Sequence, residues 1–161
     1  MKRNNKNMKL ILILMIIASL ITSCQVKVEE VVSGIWSMDS IYYNGFNIRP
    51  CLDGNILTFD KIMEFPVTEN NCEDIISTHV NEGKWEIIAS DSMPYMINIH
   101  TSNKMFSGIH RVIFQNDIDK KMLKMIIQSD KLYIICRKGL YGYDRNIKTI
   151  NALVKQSTKA K

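Results

Sequence analysis

The feature that most constrains this chain is a rhythm of two. Between residues 34 and 138 short runs alternate apolar and polar side chains, and turn-forming residues cut each run off. In an extended strand successive side chains point to opposite faces, so such a run buries one face and wets the other. "GIWSMDSIYY" (34–43) sets Trp36, Met38 and Tyr42 on one face, and "NILTFDK" (55–61) joins Leu57 with Phe59. "IMEFPVT" (62–68) joins Met63, Phe65 and Val67, and "GKWEIIAS" (83–90) sets Trp85, Ile87 and Ala89 against Lys84 and Glu86. "YMINIHT" (95–101) sets Tyr95, Ile97 and Ile99 against Asn98 and His100. "MFSGIHRVIFQ" (105–115), "KMLKMIIQ" (121–128) and "LYIICRK" (132–138) complete eight runs. Asn-Gly at 44–45, Asp-Gly at 53–54 and polar clusters at 90–94, 101–104, 115–120 and 129–131 separate them. Many short strands with regular turns predict an all-β sandwich or barrel. The one helical stripe is late: Ile147, Ile150 and Leu153 or Val154 in "RNIKTINALVK" predict a short C-terminal helix, followed by a disordered end.

The chain's beginning has a different logic. "MKRNNKNMK" carries four cations and no acid, and Leu10–Ile21 is apolar except for Ser19. That run is too short for a bilayer span of ~20 residues, and its basic front flank is the pattern of a secretory signal peptide. It ends on Ile21-Thr22-Ser23-Cys24, which resembles the bacterial lipobox. The resemblance implies cleavage before Cys24, a diacylglycerol on its sulfur and an acylated new amino terminus. Several acyl chains together hold a protein stably on a membrane, where one does so only marginally. Residues 1–23 are thus expected to be a signal peptide and 24–33 a lipidated tether. The domain proper is expected at 34–144 and a basic tail at 145–161. Glu29-Glu30 behind the anchor resembles the surface-export signal of some Gram-negative lipoproteins; a plain solvated linker reads equally well.

Loss of the signal changes the electrostatics. Residues 24–161 carry 17 basic against 16 acidic side chains, and five of the bases lie in the acid-free tail from Arg145 onward. The body (24–144) is then net −4, with 12 bases against 16 acids. The basic character belongs to the two ends and gives no ground for nucleic-acid binding. An exported chain meets oxidising conditions, and three cysteines remain after Cys24. Cys136 shares a strand face with Leu132 and Ile134, whereas Cys51 and Cys72 sit in turn-like surroundings. Cys51 with Cys72 is the favoured pair, with Cys51 to Cys136 as the alternative.

Signatures of catalysis are missing: no Gly-x-Ser-x-Gly elbow, phosphate-binding glycine loop or His-Glu-x-x-His motif occurs. Carboxylate pairs fall in the tether and in turns, where solvent keeps them ordinary acids. No catalytic residue, cofactor or metal is expected. Of the three histidines, His100 should face water, whereas His110 shares a strand face with Phe106, Val112 and Phe114. An inward His110 would be a polar group on an apolar wall, able to orient a ligand.

Two stretches carry a further resemblance. Gly34-Ile35-Trp36, "CLDGNILTF" (51–59), Cys72 and Gly83-Lys84-Trp85 follow one another in an order that resembles bacterial lipocalin-like lipoproteins. "SDKLYIICRKGLYGYD" (129–144) resembles their closing strand. The resemblance implies an eight-stranded up-and-down antiparallel barrel and supports the Cys51–Cys72 bridge. Lys61-Ile62 replaces the usual Asp-Gly turn and Pro66 interrupts the next strand, so an irregular hairpin is expected at 60–68. The functional expectation is a lipid-anchored envelope barrel on a bacterial membrane, the outer one favoured. It would hold a small apolar or amphipathic ligand against Met38, Tyr42, Phe59, Trp85, Ile97 and His110. The alternative is a side-chain-filled barrel that meets an envelope protein partner through its loops, among them 66–82.

Overall fold

A computed structural model describes residues 28–68, 72, 80–88, 95–117, 121–140, 150–151 and 154–155, and there the alternating runs are strands. They are β1 (Gly34–Tyr43), β2 (Phe46–Asn47), β3 (Leu52–Asp53), β4 (Ile56–Phe59), β5 (Met63–Glu64) and β6 (Val67–Thr68). After them come β7 (Glu82–Ile88), β8 (Tyr95–His100), β9 (Gly108–Asp117), β10 (Met122–Gln128) and β11 (Leu132–Gly139). Leaving out β2, β3 and β6, eight strands pair antiparallel in chain order, and β11 returns to β1. The result is a closed eight-stranded antiparallel barrel, compatible with a lipocalin-like fold. Closure leaves the barrel sheet no free edge to template aggregation.

Burial follows the alternation. Trp36, Leu57, Phe59, Ile97, Val112, Phe114, Leu123, Met125, Ile127, Ile134 and Cys136 are all fully buried. An eight-stranded barrel is just wide enough for its own side chains to fill it. Two glycines act where the backbone demands them. Gly34 enters β1 at φ +105°, which L side chains rarely adopt. At Gly83 a Cβ would come within 2.9 Å of the Thr101 Cβ and 3.0 Å of the His100 carbonyl, so β7 and β8 could not approach as they do.

Four departures from the plain rhythm matter. In β1 the partner register along β11 slips between Met38 and Ser40, so Asp39 is an extra, bulged residue. The slip inverts the alternation: Ile41 turns inward and Tyr42 outward, contrary to the face expected for Tyr42. Arg137 on β11 holds the bulge, its Nε and one terminal nitrogen donating to Asp39 at 2.6 and 2.7 Å. Second, Phe65-Pro66 divides the run at 62–68 into β5 and β6, the irregularity the proline foretold; β6 leaves the barrel and pairs with β3.

Third, Met105 and Phe106 are buried in a turn, not at the start of β9. Asn103 builds that turn. Its Oδ1 accepts from the Met105 N–H at 3.1 Å, and its carbonyl accepts from Phe106 and Ser107 at 3.1 and 3.0 Å. Fourth, the expected tether contains a one-turn helix, α1 (Val28–Val32), with Val28, Val31 and Val32 in the core and both glutamates exposed. Of the C-terminal helix, Ile150, Asn151, Val154 and Lys155 are described, all helical; Ile150 joins the core and Asn151 accepts from Asn116 on β9 at 2.8 Å. The signal peptide, Cys24, most of the 66–82 loop and the last six residues lie outside the described residues.

Candidate functional site

An up-and-down barrel has two rims. One gathers the end of β1, the start of β4, the 101–107 turn and the β10–β11 turn. The other gathers α1, the start of β1, the 60–62 turn and the end of β11.

The first rim is tied through the segments that follow β1 and β5. Cys51 and Cys72 form a disulfide with Cα atoms 5.6 Å apart, the favoured pairing. It joins the segment after β1 to the one after β5, and β3–β6 pairing joins the same two. Phe65 stacks on Phe106 with ring centroids 4.3 Å apart, closing the barrel below. Beside this closure a cleft of about 210 Å³ opens between Tyr43, Lys104, Met105, Ser107, His110 and the Ser129–Lys131 turn.

His110 is the chemically distinctive part of its wall. The residue is 3% exposed. Its Nε2 lies 2.8 Å from the Phe106 carbonyl. A carbonyl only accepts, so Nε2 carries the proton and Nδ1 holds a lone pair. Nδ1 is buried and has no partner among the described residues. Burial pushes the pKa of His110 below its ordinary value, against the pull of the Phe106 carbonyl. The group is thus a neutral acceptor in an apolar wall. Lys104, Lys131 and Asp130 supply the cleft's charge, and Tyr43 and Met105 its apolar surface.

The other residues expected to line a ligand do not gather at this cleft. Met38, Phe59 and Ile97 lie in the packed interior, each no more than 2% exposed. Trp85 is half-buried, edge-on to Phe59 at 5.4 Å, and its indole N–H donates to the Asp60 carbonyl at 2.6 Å. Tyr42 stands outside beside Tyr133, 6.4 Å between centroids. His100 faces water and pairs with Glu86 at 3.1 Å. Sequence reasoning did not single out Tyr43, Lys104, Ser107 or the Ser129–Lys131 turn. Their signal was topological: turns that close neighbouring strand pairs meet at one rim.

The second rim is held by α1. The Trp36 indole N–H donates to the Val32 carbonyl at 2.6 Å. Lys138 donates to the Ser33 carbonyl at 2.8 Å and also to that of Val31, with its ammonium 4.6 Å from the Trp36 ring centre. Burial lowers the Lys138 pKa to about 8, while nearby Cys136 pulls it upward. Among the described residues no group of three His, Cys, Asp or Glu side chains could hold a metal ion, and no helix is long and apolar enough to cross a membrane.

Comparison with protein families, with curated proteins and with solved structures finds no match to this chain.

Proposed function

We infer that this chain is a lipocalin-like envelope lipoprotein, anchored through Cys24, that takes a small amphipathic ligand at the cleft rather than inside the barrel. The observation that carries the ligand reading is the unpaired, buried Nδ1 of His110 in the wall of an open cleft. A buried acceptor without a partner costs free energy; Nδ1 is closed off from solvent, so a ligand's hydroxyl or N–H donor recovers that cost where the cleft wall opens around the ring. The cleft volume of about 210 Å³ is below the roughly 300–1,000 Å³ of drug-sized sites, which suits a small molecule or the polar end of a larger one. Barrel architecture by itself does not choose a function.

The deciding experiment is native mass spectrometry of exported residues 25–161, before and after solvent extraction. A reproducible excess mass that disappears on extraction and is absent from His110→Phe supports the cleft. The anchor has a separate check: Cys24→Ala should release the protein from membrane fractions, and retention there would defeat the anchor.

The packed interior favours a second reading. With Trp36, Leu57, Phe59, Ile97 and Phe114 fully buried, the barrel can serve as a rigid stand for its loops and for exposed Phe46, Tyr42 and Tyr133. A bare mass, with no thermal shift across a panel of amphipathic compounds, would select this protein-interaction module.

A further inference from the structure

Helix α1, which begins four residues after Cys24, and the cleft sit at opposite rims, and this bears on which way the molecule faces. We propose that the barrel stands on the bilayer by its α1 rim, with Ile35 and Ile62 at the lipid interface and the cleft directed away from the membrane. The proposal rests on the acylation of Cys24.

The first argument is reach. Only Gln25, Val26 and Lys27 separate Cys24 from Val28. Four residue steps span at most ~14 Å even when fully extended. From Gly34 to Tyr43 the chain climbs the barrel along β1. Nine strand steps at ~3.3 Å, tilted by ~40°, give a height of ~23 Å. The leash is therefore shorter than the barrel is tall, so the barrel cannot stand on its cleft rim.

The second argument is stiffness. A leash sets orientation only if its end is fixed to the body. Val28 is itself in the core, and α1 is held by three buried valines, the Trp36 indole and the two bonds from Lys138. Its position therefore follows the barrel.

The third argument is the rim itself. Ile35 is 65% exposed at the start of β1, and Ile62 is 49% exposed in the neighbouring turn. Gly34 pairs with Phe59 and Ile35 with Thr58, so both isoleucines belong to the anchored rim. Exposed large apolar residues beside a lipid anchor fit the headgroup–acyl boundary; Phe46, Ile56 and Ile109 are as exposed toward the cleft rim, so it is the short leash from Cys24 that chooses the rim. Among the described residues charge at this rim is mixed: Lys61 and Lys121 against Glu29, Glu30 and Asp60, all exposed. The partner is accordingly a bilayer recognised by position and apolar insertion, without dependence on anionic lipid.

The test uses the acylated mature protein in phosphatidylcholine vesicles that contain a headgroup spin-labelled lipid. A bimane probe is placed at Lys61→Cys or at Asp130→Cys, one at each rim. Cys136 is fully buried and its thiol is pushed up by burial, so it takes no label. The expected result is loss of most bimane fluorescence at position 61 and none at position 130. Equal quenching at both sites, or stronger quenching at 130, overturns the orientation. The intact mass of the same sample separates the two claims: a missing acyl mass overturns the anchor and the orientation with it. With the acyl mass present, only the orientation is at stake.

Discussion

The two rims of this barrel are closed by different means. At the cleft rim the segments that follow β1 and β5 are joined to each other by a disulfide and by the β3–β6 pairing, and the cleft remains open beside them. At the α1 rim a five-residue helix is drawn onto the barrel by valines, an indole and a lysine. One closure is covalent and packs Ile48, Cys51, Leu52 and Phe65 onto the core from segments between the barrel strands. The other runs through Trp36, a residue of barrel strand β1 itself. Loss of Trp36 should therefore reach the whole fold, whereas loss of the disulfide, which leaves those apolar contacts in place, should stay more local.

The largest expected effect follows from that contrast. Trp36 is fully buried, donates to Val32 and lies under Lys138. Trp36→Ala leaves a large cavity and should cost about 3–5 kcal/mol. Chemical denaturation should show the transition moving as one, with α1 and the barrel lost together. Loss of α1 alone, with the barrel's own transition unmoved, would break the claim that this rim is part of the core.

Replacing Cys51 and Cys72 together by serine comes next. The bridge spans 21 positions, and the chain-entropy account gives about 3 kcal/mol for such a loop. Hydrogen exchange should show faster opening around 48–53 and 65–68, while β9, β10 and β11 keep their order of protection. If those three strands instead became the first to exchange, the cleft rim would not be the more local of the two.

How far these rims were legible depends on the range of the cause. Alternation is local, so most strands and most inward faces could be read from the chain. Cys136 on its buried face and His110 in the wall followed from the same parity. Pro66 signalled the break between β5 and β6, since a residue without an N–H cannot continue the ladder. What failed depended on partners. The Asp39 bulge exists only in register with β11, so Tyr42 could not be seen to turn outward. Met105-Phe106 reads as strand until the Asn103 side chain and carbonyl bend the chain there. Val28, Val31 and Val32 carry helical spacing, but five residues are too few for a period to declare itself. The cleft was invisible because its wall comes from turns far apart in sequence. Lys138 was within reach: it continues the inward parity of Leu132, Ile134 and Cys136, which places a lysine at the end of the core.

That lysine gives the smallest and most specific of the three tests. Its folded pKa is about 8, lowered by burial from the ordinary 10.5. Between those values the unfolded chain binds more protons than the folded one, so unfolding free energy rises with pH across roughly 8 to 10.5. Below 8 both states are protonated and the full cost of burying the ammonium is present. Because the amine is only partly buried, the rise should be at most about 2 kcal/mol, discounted from the full linkage value for solvent screening. Tyr95, whose pKa burial raises, works in the opposite direction at the top of this range, so the useful quantity is a difference between variants. Lys138→Met keeps the stem over Trp36 and removes the charge, at the loss of two bonds to the carbonyls of Val31 and Ser33. At pH 7 the two effects oppose, and the net change should stay within about 1 kcal/mol. From pH 7 to pH 9.5 the difference in urea midpoint should move in favour of the wild type, as Lys138 loses its proton. A constant gap would mean that the ammonium is as comfortable in the folded rim as in water, and the α1 closure would then owe its hold to the valines and Trp36 alone.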